Sequence, residues 1–460
     1  MVSAEKENPV SPQSSAPPAQ SEEPGSQTSP TKLRANRNEW LLVVFTATTN
    51  IADAVTRVTL PLLAVRLTHS PGLIALVVVL MMLPWLVTAL HIGVLVDRKD
   101  RRSLMFGAET TRIIAIGIVL GAYLTDMLSL PLIYVVAVAL GVAEVVALTS
   151  GASIVPSAVP KARWQIASAR ITAMEYLCNG FLGAPVGGFL VAAGFAIALG
   201  ATGVVYVAAA VLLLMLVGNF KVKSTKERRP VNVEIRDGLT FLWQHRLLRT
   251  MALLIAVMAG CWAAWLAIIP AYAVSGPLHL SSRQYGFLLT CLGAGGVTGT
   301  LVVGRINRLL GRRWSMFADI LGTLALVAVP ALVPARPGSA VLVGVAAFLA
   351  GLGGTMWSVN SRVIYQTLVP NEMLGRFSAA SRLVGWGTSP IAAAIAGTLA
   401  TTVNYRVAFG VFAVICALLI IPYLRVVTAQ AVAEVDKPEP AEEVESPVSA
   451  ATAEPTGVAQ

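Results

Sequence analysis

The stretch Gly93–Arg102, GVLVDRKDRR, places six charged side chains between two long apolar segments. The whole chain of 460 residues is 56% hydrophobic and only 13% charged. Soluble domains carry about 25% charged residues. The composition therefore predicts a polytopic membrane protein, in which this basic stretch is a loop between two crossings.

Twelve apolar runs are long enough to cross a bilayer, which takes about 20 residues in a helix. The predicted crossings are residues 40–65, 72–96, 103–125, 130–155, 164–194, 196–219, 249–275, 284–306, 314–334, 338–365, 375–402 and 404–426. Spans five and six, like spans eleven and twelve, have very short connections and are separated by length alone.

The two ends of the chain differ in composition from its apolar body. Residues 1–38 are rich in Pro, Ser, Glu and Gln, and residues 428–460 are rich in Ala, Pro, Val and Glu. Such composition predicts disordered tails, the second of them acidic. No cleavable signal peptide is predicted, because the first apolar run is long enough to span.

Basic residues mark alternate connections between the predicted spans. They lie before span one and after spans two, four, six, eight and ten, whereas the other connections carry only Arg66, Arg283, Arg336 and Arg406. Because basic loops stay on the cytoplasmic side, both termini are predicted to be cytoplasmic and the protein to lie in the cell membrane.

An internal repeat relates the two parts of the chain. GVLVDRKDRR at 93–102 is echoed by GRINRLLGRR at 304–313, and Gly180 and Pro185 of span five are echoed by Gly385 and Pro390 of span eleven. These echoes predict two six-helix halves with a substrate pathway between them near the middle of the bilayer. The predicted domains are an N-terminal bundle at 39–219, a cytoplasmic linker at 220–248 and a C-terminal bundle at 249–427.

The loop motif resembles the signature loop of the major facilitator superfamily. The matching positions are Gly93, Leu95, Asp97, Arg98, Arg101 and Arg102, and the motif departs at Asp100, where the family usually has Gly. The resemblance covers about residues 39–427. It implies the major facilitator fold, that is, an all-α integral membrane protein with twelve transmembrane helices in two halves.

In that family the signature loop is a conformational latch. The resemblance implies this role for Gly93, Asp97, Arg98, Arg101 and Arg102 and for the echo residues Gly304, Arg312 and Arg313. Because glycine has no Cβ, we expect a neighbouring helix to approach Gly93 closely.

Span five contains NGFLGAPVGGFL, which resembles a glycine–proline element of exporters in the superfamily. Its residues are Gly180, Gly183, Pro185, Gly187 and Gly188, with Ala184 at one glycine position. Proline interrupts the helical hydrogen bonds and the glycines allow close packing, so an ordinary kinked helix pair is the alternative. Segments of span one, span four and the linker look like the enterobactin-exporter and macrolide-efflux branch.

The sequence of the linker also predicts an amphipathic helix, with Leu239, Leu242 and Trp243 on one side.

Ionisable residues within spans are costly and are therefore functional candidates. The candidates for proton coupling or substrate binding are Asp53, Arg57, Glu144 and Glu175. Asp53 and Arg57 have the i,i+4 spacing of a helical ion pair, which is also compatible with a purely structural role.

Other charged and aromatic residues have weaker functional signals. We expect Glu109 and Arg112 to form a structural pair near the cytoplasmic start of span three, and Arg170 to anchor span five. Asp319, Arg362 and Arg382 are candidates for gating pairs. Bulky rings that pack in the bundle or line a pocket are Trp262, Trp265, Tyr272, Trp357, Tyr365 and Trp386.

The sequence predicts no catalytic residues, no metal site and no cofactor. The four cysteines and four histidines are dispersed, and no P-loop motif is present. Basic charge is expected to contact membrane lipids rather than nucleic acid. Span four has Glu144 but lacks the arginine that many proton-coupled exporters of the superfamily carry.

The predicted function is export of a small amphipathic compound, such as a drug, antibiotic or siderophore-like molecule, by alternating access. Proton antiport and a monomeric state are implied by the resemblance. The alternatives are an importer or an uncoupled facilitator of a small metabolite. An integral-membrane enzyme or a sensor is disfavoured, because neither clustered catalytic groups nor an appended soluble domain is present.

Overall fold

The computed structural model describes residues 30–218, 220, 231–334, 336–370, 373–428 and 430. All regular structure in these ranges is helical. The α helices of the first part are α1 (Pro30–Leu67), α2 (Pro71–Val87), α3 (Ala89–Arg98), α4 (Arg101–Leu124), α5 (Leu130–Ala158), α6 (Trp164–Glu175), α7 (Gly183–Ala193) and α8 (Phe195–Leu214).

A helix at the surface, α9 (Val231–Gln244), precedes the second part. The remaining helices are α10 (Arg246–Pro270), α11 (Ser282–Leu332), α12 (Ala340–Leu368), α13 (Leu374–Gly387), α14 (Ser389–Thr402), α15 (Tyr405–Leu418) and α16 (Ile420–Val426). Wider π-helical turns at Tyr176–Leu182 and Ala271–Ser275 join α6 to α7 and extend α10.

Described helices overlap each of the twelve predicted crossings. Ten helical runs in the described part of the chain are long and apolar enough to span a membrane. One of them, α11, has 51 residues and turns at Gly311, so it contains predicted spans eight and nine. Span two is divided between α2 and α3, which have 17 and 10 residues.

The broken spans two and eleven lie side by side. Thr88 separates α2 from α3 and its hydroxyl donates to the Pro84 carbonyl at 2.7 Å. Thr388 separates α13 from α14 and donates to the Ala256 carbonyl of α10, also at 2.7 Å. A Cβ placed on Gly387, beside the second break, would lie 3.4 Å from Leu86, beside the first. Two adjacent helices are thus interrupted at a similar depth.

The half-repeat is visible in the contacts of the two basic loops. Arg102 donates to the Leu214 carbonyl at 2.6 Å in the first part, and Arg313 donates to the Leu424 carbonyl at 3.3 Å in the second. Each arginine therefore ties its loop to the last transmembrane helix of its own half. Arg101 also donates to the Ser157 hydroxyl at 2.9 Å.

The departure of the loop from the family pattern has a local explanation. The Asp100 carboxylate accepts from the Ser103 amide at 2.9 Å and so caps the N-terminus of α4. The equivalent position in the second loop is Gly311, which adopts φ +81°, a left-handed conformation that favours glycine.

The expected close approach of a helix to Gly93 is wrong. Among the described residues, no heavy atom lies within 4 Å of a Cβ placed on Gly93 or on its echo Gly304. Both glycines face open space, so close packing does not require them. Arg98 is exposed at the end of α3, and the side chain of Asp97 lies outside the described part of the structure.

The first helix begins earlier than predicted. Residues 30–38, expected to be part of a disordered tail, form the first turns of α1. The reason lies in Glu39, whose buried carboxylate pairs with Arg163 at 3.0 Å and with Arg170 at 2.6 Å and so anchors this end of α1. Residues 1–29 and 431–460, which carry the rest of the predicted tails, lie outside the described residues.

The linker contains the expected helix, α9. Leu242 is buried and Leu239 is half-buried, whereas Trp243 is exposed. Gly238 approaches the Arg376 backbone of α13 so closely that an added Cβ would lie 2.3 Å from the Arg376 carbonyl oxygen. The linker helix α9 therefore packs against α13, the first segment of span eleven.

Small residues bring the two bundles together on the side away from the termini. A Cβ placed on Gly188 of α7 would lie 2.5 Å from the Cα of Gly286 of α11. On the other flank, the Gly72 amide of α2 donates to the Thr401 hydroxyl of α14 at 2.7 Å. Phe189 and Phe287 stack edge to face beside the first contact, with ring centroids 5.2 Å apart. We call these contacts the inter-bundle seal.

Replacing Gly188 with valine should destabilise the seal. The new side chain would meet backbone rather than a movable side chain, and overpacking of this kind costs about 1–3 kcal/mol. The purified protein can be unfolded with a denaturing detergent and the helical signal followed by circular dichroism. The detergent concentration at the midpoint of unfolding should be lower for this variant than for the wild type. The matched control is Gly200→Val, since no described atom lies within 4 Å of a Cβ there. Equal midpoints for the two variants would contradict the packing assignment.

Candidate functional site

Five ionisable residues form a network inside the N-terminal bundle. They are Asp53 and Arg57 of α1, Glu109 and Arg112 of α4, and Glu144 of α5. We call this set the N-terminal charge network. It lies within helices long enough to cross the membrane, where charged groups require partners.

Arg112 connects two carboxylates from different helices. Its guanidinium is 3.0 Å from the Asp53 carboxylate through Nη2 and 2.5 Å from the Glu109 carboxylate through Nη1. The side chain of Arg112 is 2% exposed and that of Glu109 is 0% exposed, whereas Asp53 is 14% exposed. Asp53 is therefore the member of this trio with access to water.

Neutral hydroxyl groups donate further hydrogen bonds to the two carboxylates of the trio. Tyr206 of α8 donates to Asp53 Oδ1 at 2.8 Å. The Thr49 hydroxyl donates to Glu109 Oε1 at 3.0 Å and accepts from Arg112 Nη1 at 2.9 Å. The guanidinium carbon of Arg112 also lies 5.6 Å from the centre of the Tyr206 ring, within range of a cation–π interaction.

The predicted pairing of Asp53 with Arg57 is wrong. Arg57 instead contacts Glu144 at 2.5 Å through Nη2 and donates to the Asn179 side chain at 2.8 Å through Nη1. The physical reason is that α4 inserts Arg112 next to Asp53, while α5 offers Glu144 to Arg57. Arg57 is 39% exposed, so this second pair borders open space rather than the packed interior.

The expected location of Glu109 and Arg112 also needs correction. They do pair with each other, but Arg112 lies eleven residues into the 24-residue α4, about 16 Å along the helix and so near its middle rather than at its start. Arg112 and Tyr206 are thus site residues that the sequence interpretation missed. The signal in the sequence that could have identified Arg112 is that the i,i+3 pair of Glu109 and Arg112 lies deep within an apolar run.

Glu175 is not part of the network by direct contact. It ends α6, and among the described residues no hydrogen bond or ion pair joins it to a partner. Its carboxylate lies within electrostatic range of Arg57 and of Arg382 on α13, across the space between the bundles. Within the described residues, Asp319, Arg362 and Arg382 form no ion pair with one another in this conformation, so the candidate gating pairs are not formed.

The glycine–proline element packs α7 against both bundles. A Cβ placed on Gly183 would lie 2.1 Å from the Ala54 side chain of α1, and one on Gly187 would lie 3.2 Å from Val55. Gly188 faces α11, as described above. Gly180 lies in the π-helical turn and Pro185 in the first turn of α7, so the change of helix type precedes the packed glycines Gly183, Gly187 and Gly188. α7 thus contacts Ala54, the neighbour of Asp53, and also forms part of the inter-bundle seal.

The aromatic candidates divide into two groups. Trp265, Tyr272 and Trp357 are buried and pack inside the C-terminal bundle. Trp262 and Tyr365 are half-buried and Trp386 is exposed, so Trp262 and Trp386 are the two candidate tryptophans that present a surface that a substrate could contact.

Comparison with known proteins agrees with this architecture. The family model of the Major Facilitator Superfamily matches residues 42–381 and, in a second overlapping alignment, residues 262–455. Together the two matches cover most of the chain.

Curated relatives resemble the chain over nearly their full length. The multidrug efflux pump Tap of Mycobacterium tuberculosis (strain ATCC 25618 / H37Rv) is 25% identical over 421 residues, covering 88% of this chain and 98% of that protein. The protein of the same name from Mycolicibacterium fortuitum is 23% identical over 390 residues, covering 81% and 92%.

Solved structures share the fold at low sequence identity. The nucleoside transporter NupG has a TM-score of 0.66 and 11% identity, covering 85% of this chain and 99% of its own. A bacterial homologue of the iron transporter ferroportin, in an inward-facing state, has a TM-score of 0.63 and 16% identity, covering 85% and 98%. By its family match and its helical architecture, the chain belongs to the Major Facilitator Superfamily of membrane transporters.

Proposed function

We propose that this protein exports a small amphipathic compound by alternating access, in exchange for protons. The observation that carries the proposal is the charge balance of the N-terminal charge network. Three carboxylates, Asp53, Glu109 and Glu144, face only two guanidinium groups, Arg57 and Arg112. Arg57 and Glu144 balance each other, so the deficit of one positive charge lies in the trio of Asp53, Glu109 and Arg112.

A bound proton supplies the missing charge. An unpaired carboxylate inside a protein costs several kcal/mol, and protonation removes that cost. Glu109 is the best carrier in this conformation, because it is fully buried and its Oε2 atom has no hydrogen-bond partner in the described structure. A neutral carboxylic acid tolerates such a position better than a carboxylate.

Asp53 is the entry point for the proton. It is the more exposed carboxylate of the trio and shares Arg112 with Glu109. When Asp53 takes up a proton, its attraction for Arg112 weakens, and the guanidinium then favours an ionised Glu109. Proton exchange at Asp53 thus changes the contact between α1 and α4.

The glycine–proline element links this change to the inter-bundle seal. Gly183 contacts Ala54, the neighbour of Asp53, and Gly188 contacts Gly286 of the other bundle. A shift of α1 therefore acts on α7, which is part of the seal. We assign Gly180, Gly183, Pro185, Gly187 and Gly188 to this coupling. The basic loops, with Asp97, Arg98, Arg101, Arg102, Arg312 and Arg313, are assigned to the latch on the side of the termini.

The substrate pathway is assigned to the space between the bundles. Arg57, Glu144 and Asn179 border it from the first half, and Arg382 and Trp386 are exposed on the second. A surface that combines a balanced ion pair with an exposed aromatic ring suits amphipathic molecules. The efflux activity named for the Tap relatives supports outward transport at 23–25% identity.

Asp53→Asn should abolish proton-driven export. The amide cannot exchange a proton, so accumulation of ethidium in energised inside-out vesicles should fall to the level of an uncoupler-treated control. Asp100→Asn is the matched control, because Asn caps a helix as well as Asp does and Asp100 lies in the loop. Uncoupler-sensitive accumulation that persists in Asp53→Asn would refute the role of Asp53. If the uncoupler does not reduce accumulation in wild-type vesicles, proton coupling would be refuted.

Glu144→Gln should change substrate preference rather than coupling. The substitution leaves Arg57 without its carboxylate partner at the edge of the pathway, which adds a positive charge there. Export of the cation ethidium should decrease relative to export of an anionic dye, while both remain sensitive to the uncoupler. An unchanged ratio between the two dyes would place Arg57 and Glu144 outside the pathway.

A further inference from the structure

The second bundle contains a buried carboxyl group at the place that matches the N-terminal charge network. Asp319 and Thr323 lie on the arm of α11 after Gly311, which repeats the position of α4 after Asp100. In the internal repeat, Thr323 corresponds to Arg112, and Asp319 lies within one position of the residue corresponding to Glu109. The carboxyl group is thus present in both bundles, whereas the arginine is present only in the first.

Asp319 is almost completely buried, with 2% of its surface exposed. The Thr323 hydroxyl donates to its Oδ1 atom at 3.4 Å, and the Trp262 indole N–H donates in turn to Thr323 at 3.1 Å. α12 approaches so closely that a Cβ placed on Gly353 would lie 2.5 Å from the Asp319 Cα. The carboxyl group therefore has one weak donor and a dry, tightly packed surrounding.

No described cation neutralises this carboxyl group. Its arm of α11 packs against α10, α12, α15 and α16, and the ionisable groups described there include the thiol of Cys416 on α15, within electrostatic range of Asp319, and that of Cys261 on α10. The residues of α12 next to Asp319 are Gly353 and Gly354. Arg362 lies two helical turns beyond Gly354 and is exposed. Tyr423 of α16 is bonded to the Arg313 carbonyl, six residues away along the chain from Asp319.

The partly exposed ring of Trp262 lies close to Asp319. A Cβ placed on Gly354 would lie 3.4 Å from the Trp262 ring and 3.7 Å from Asp319 Oδ1, so Gly354 leaves a narrow gap beside both groups. Trp262 is only half-buried. Displacement of its ring would connect the carboxyl group to water.

We propose that Asp319 is a second proton-binding site, located in the C-terminal bundle and independent of the N-terminal charge network. In the present conformation the group is a neutral carboxylic acid. When the Trp262 ring moves, the O–H bond breaks and the proton passes to water in the pathway, leaving a carboxylate. The use of this proton in transport rests on the proposed function, but its presence on Asp319 does not.

Infrared spectroscopy of the full chain in liposomes tests the site without a substrate. At neutral pH the wild type should show the C=O stretch of buried carboxylic acids, with one component from Asp319 and, on the proposed function, one from the proton held by Glu109. The Asp319 component should disappear in Asp319→Asn and persist in Asp53→Asn and Asp100→Asn. Thr323→Val keeps the side-chain shape but removes the donor, so the band should move to higher frequency. A spectrum that is identical in wild type and Asp319→Asn would overturn the proposal, as would an unshifted band in Thr323→Val if Asp319→Asn does not fold.

Transport of ethidium in inside-out vesicles tests the use of the proton. If Asp319 carries one proton per cycle, the steady-state accumulation ratio in Asp319→Asn should fall about tenfold for each pH unit of gradient. An unchanged ratio would overturn the transport role of Asp319. Failure of the proposed antiport would be seen separately, as wild-type accumulation that is insensitive to an uncoupler, and would leave the infrared result valid.

Discussion

The contact of Arg112 with Asp53 and Glu109 is the constraint on which this account depends. A buried guanidinium between two carboxylates from different helices fixes the distance between α1 and α4 in the middle of the N-terminal bundle. Because two negative charges share one positive charge, we propose that the trio binds a proton as well as the cation. On that proposal, the packing of α1 against α4 and the binding of the proton depend on the same three side chains.

The packing of the bundles turns this local chemistry into a candidate transport mechanism. Gly183 and Gly188 lie five residues apart on α7 and contact α1 and α11 respectively. α7 therefore packs beside the N-terminal charge network and also forms part of the inter-bundle seal. On the other flank, the breaks at Thr88 and Thr388 divide two neighbouring helices at a similar depth. We propose that the segments on the side of the termini pivot at these breaks while the sealed segments remain in contact.

The sequence predicted the architecture better than the site. Apolar run length and the echo of Gly93–Arg102 at 304–313 were sufficient for the helical fold, and an aspartate within a span identified Asp53. The partner of Asp53 was missed, because local spacing favours Arg57 and cannot show that Arg112 of another helix fills the same space. Gly93 was misinterpreted for a related reason: a glycine does not reveal whether a neighbour is present. The breaks at Thr88 and Thr388 lie in continuous apolar runs, where Pro84 and Pro390 indicate a bend but not its position.

The most direct test of the central claim is proton movement through Glu109. In inside-out vesicles acidified by respiration, ethidium entering by antiport should release protons, seen as recovery of the fluorescence of a pH-sensitive acridine dye. We expect this recovery in the wild type and its loss in Glu109→Gln, in which the buried side chain can no longer exchange a proton. Recovery of the same size in Glu109→Gln would contradict the shared proton of Asp53, Glu109 and Arg112.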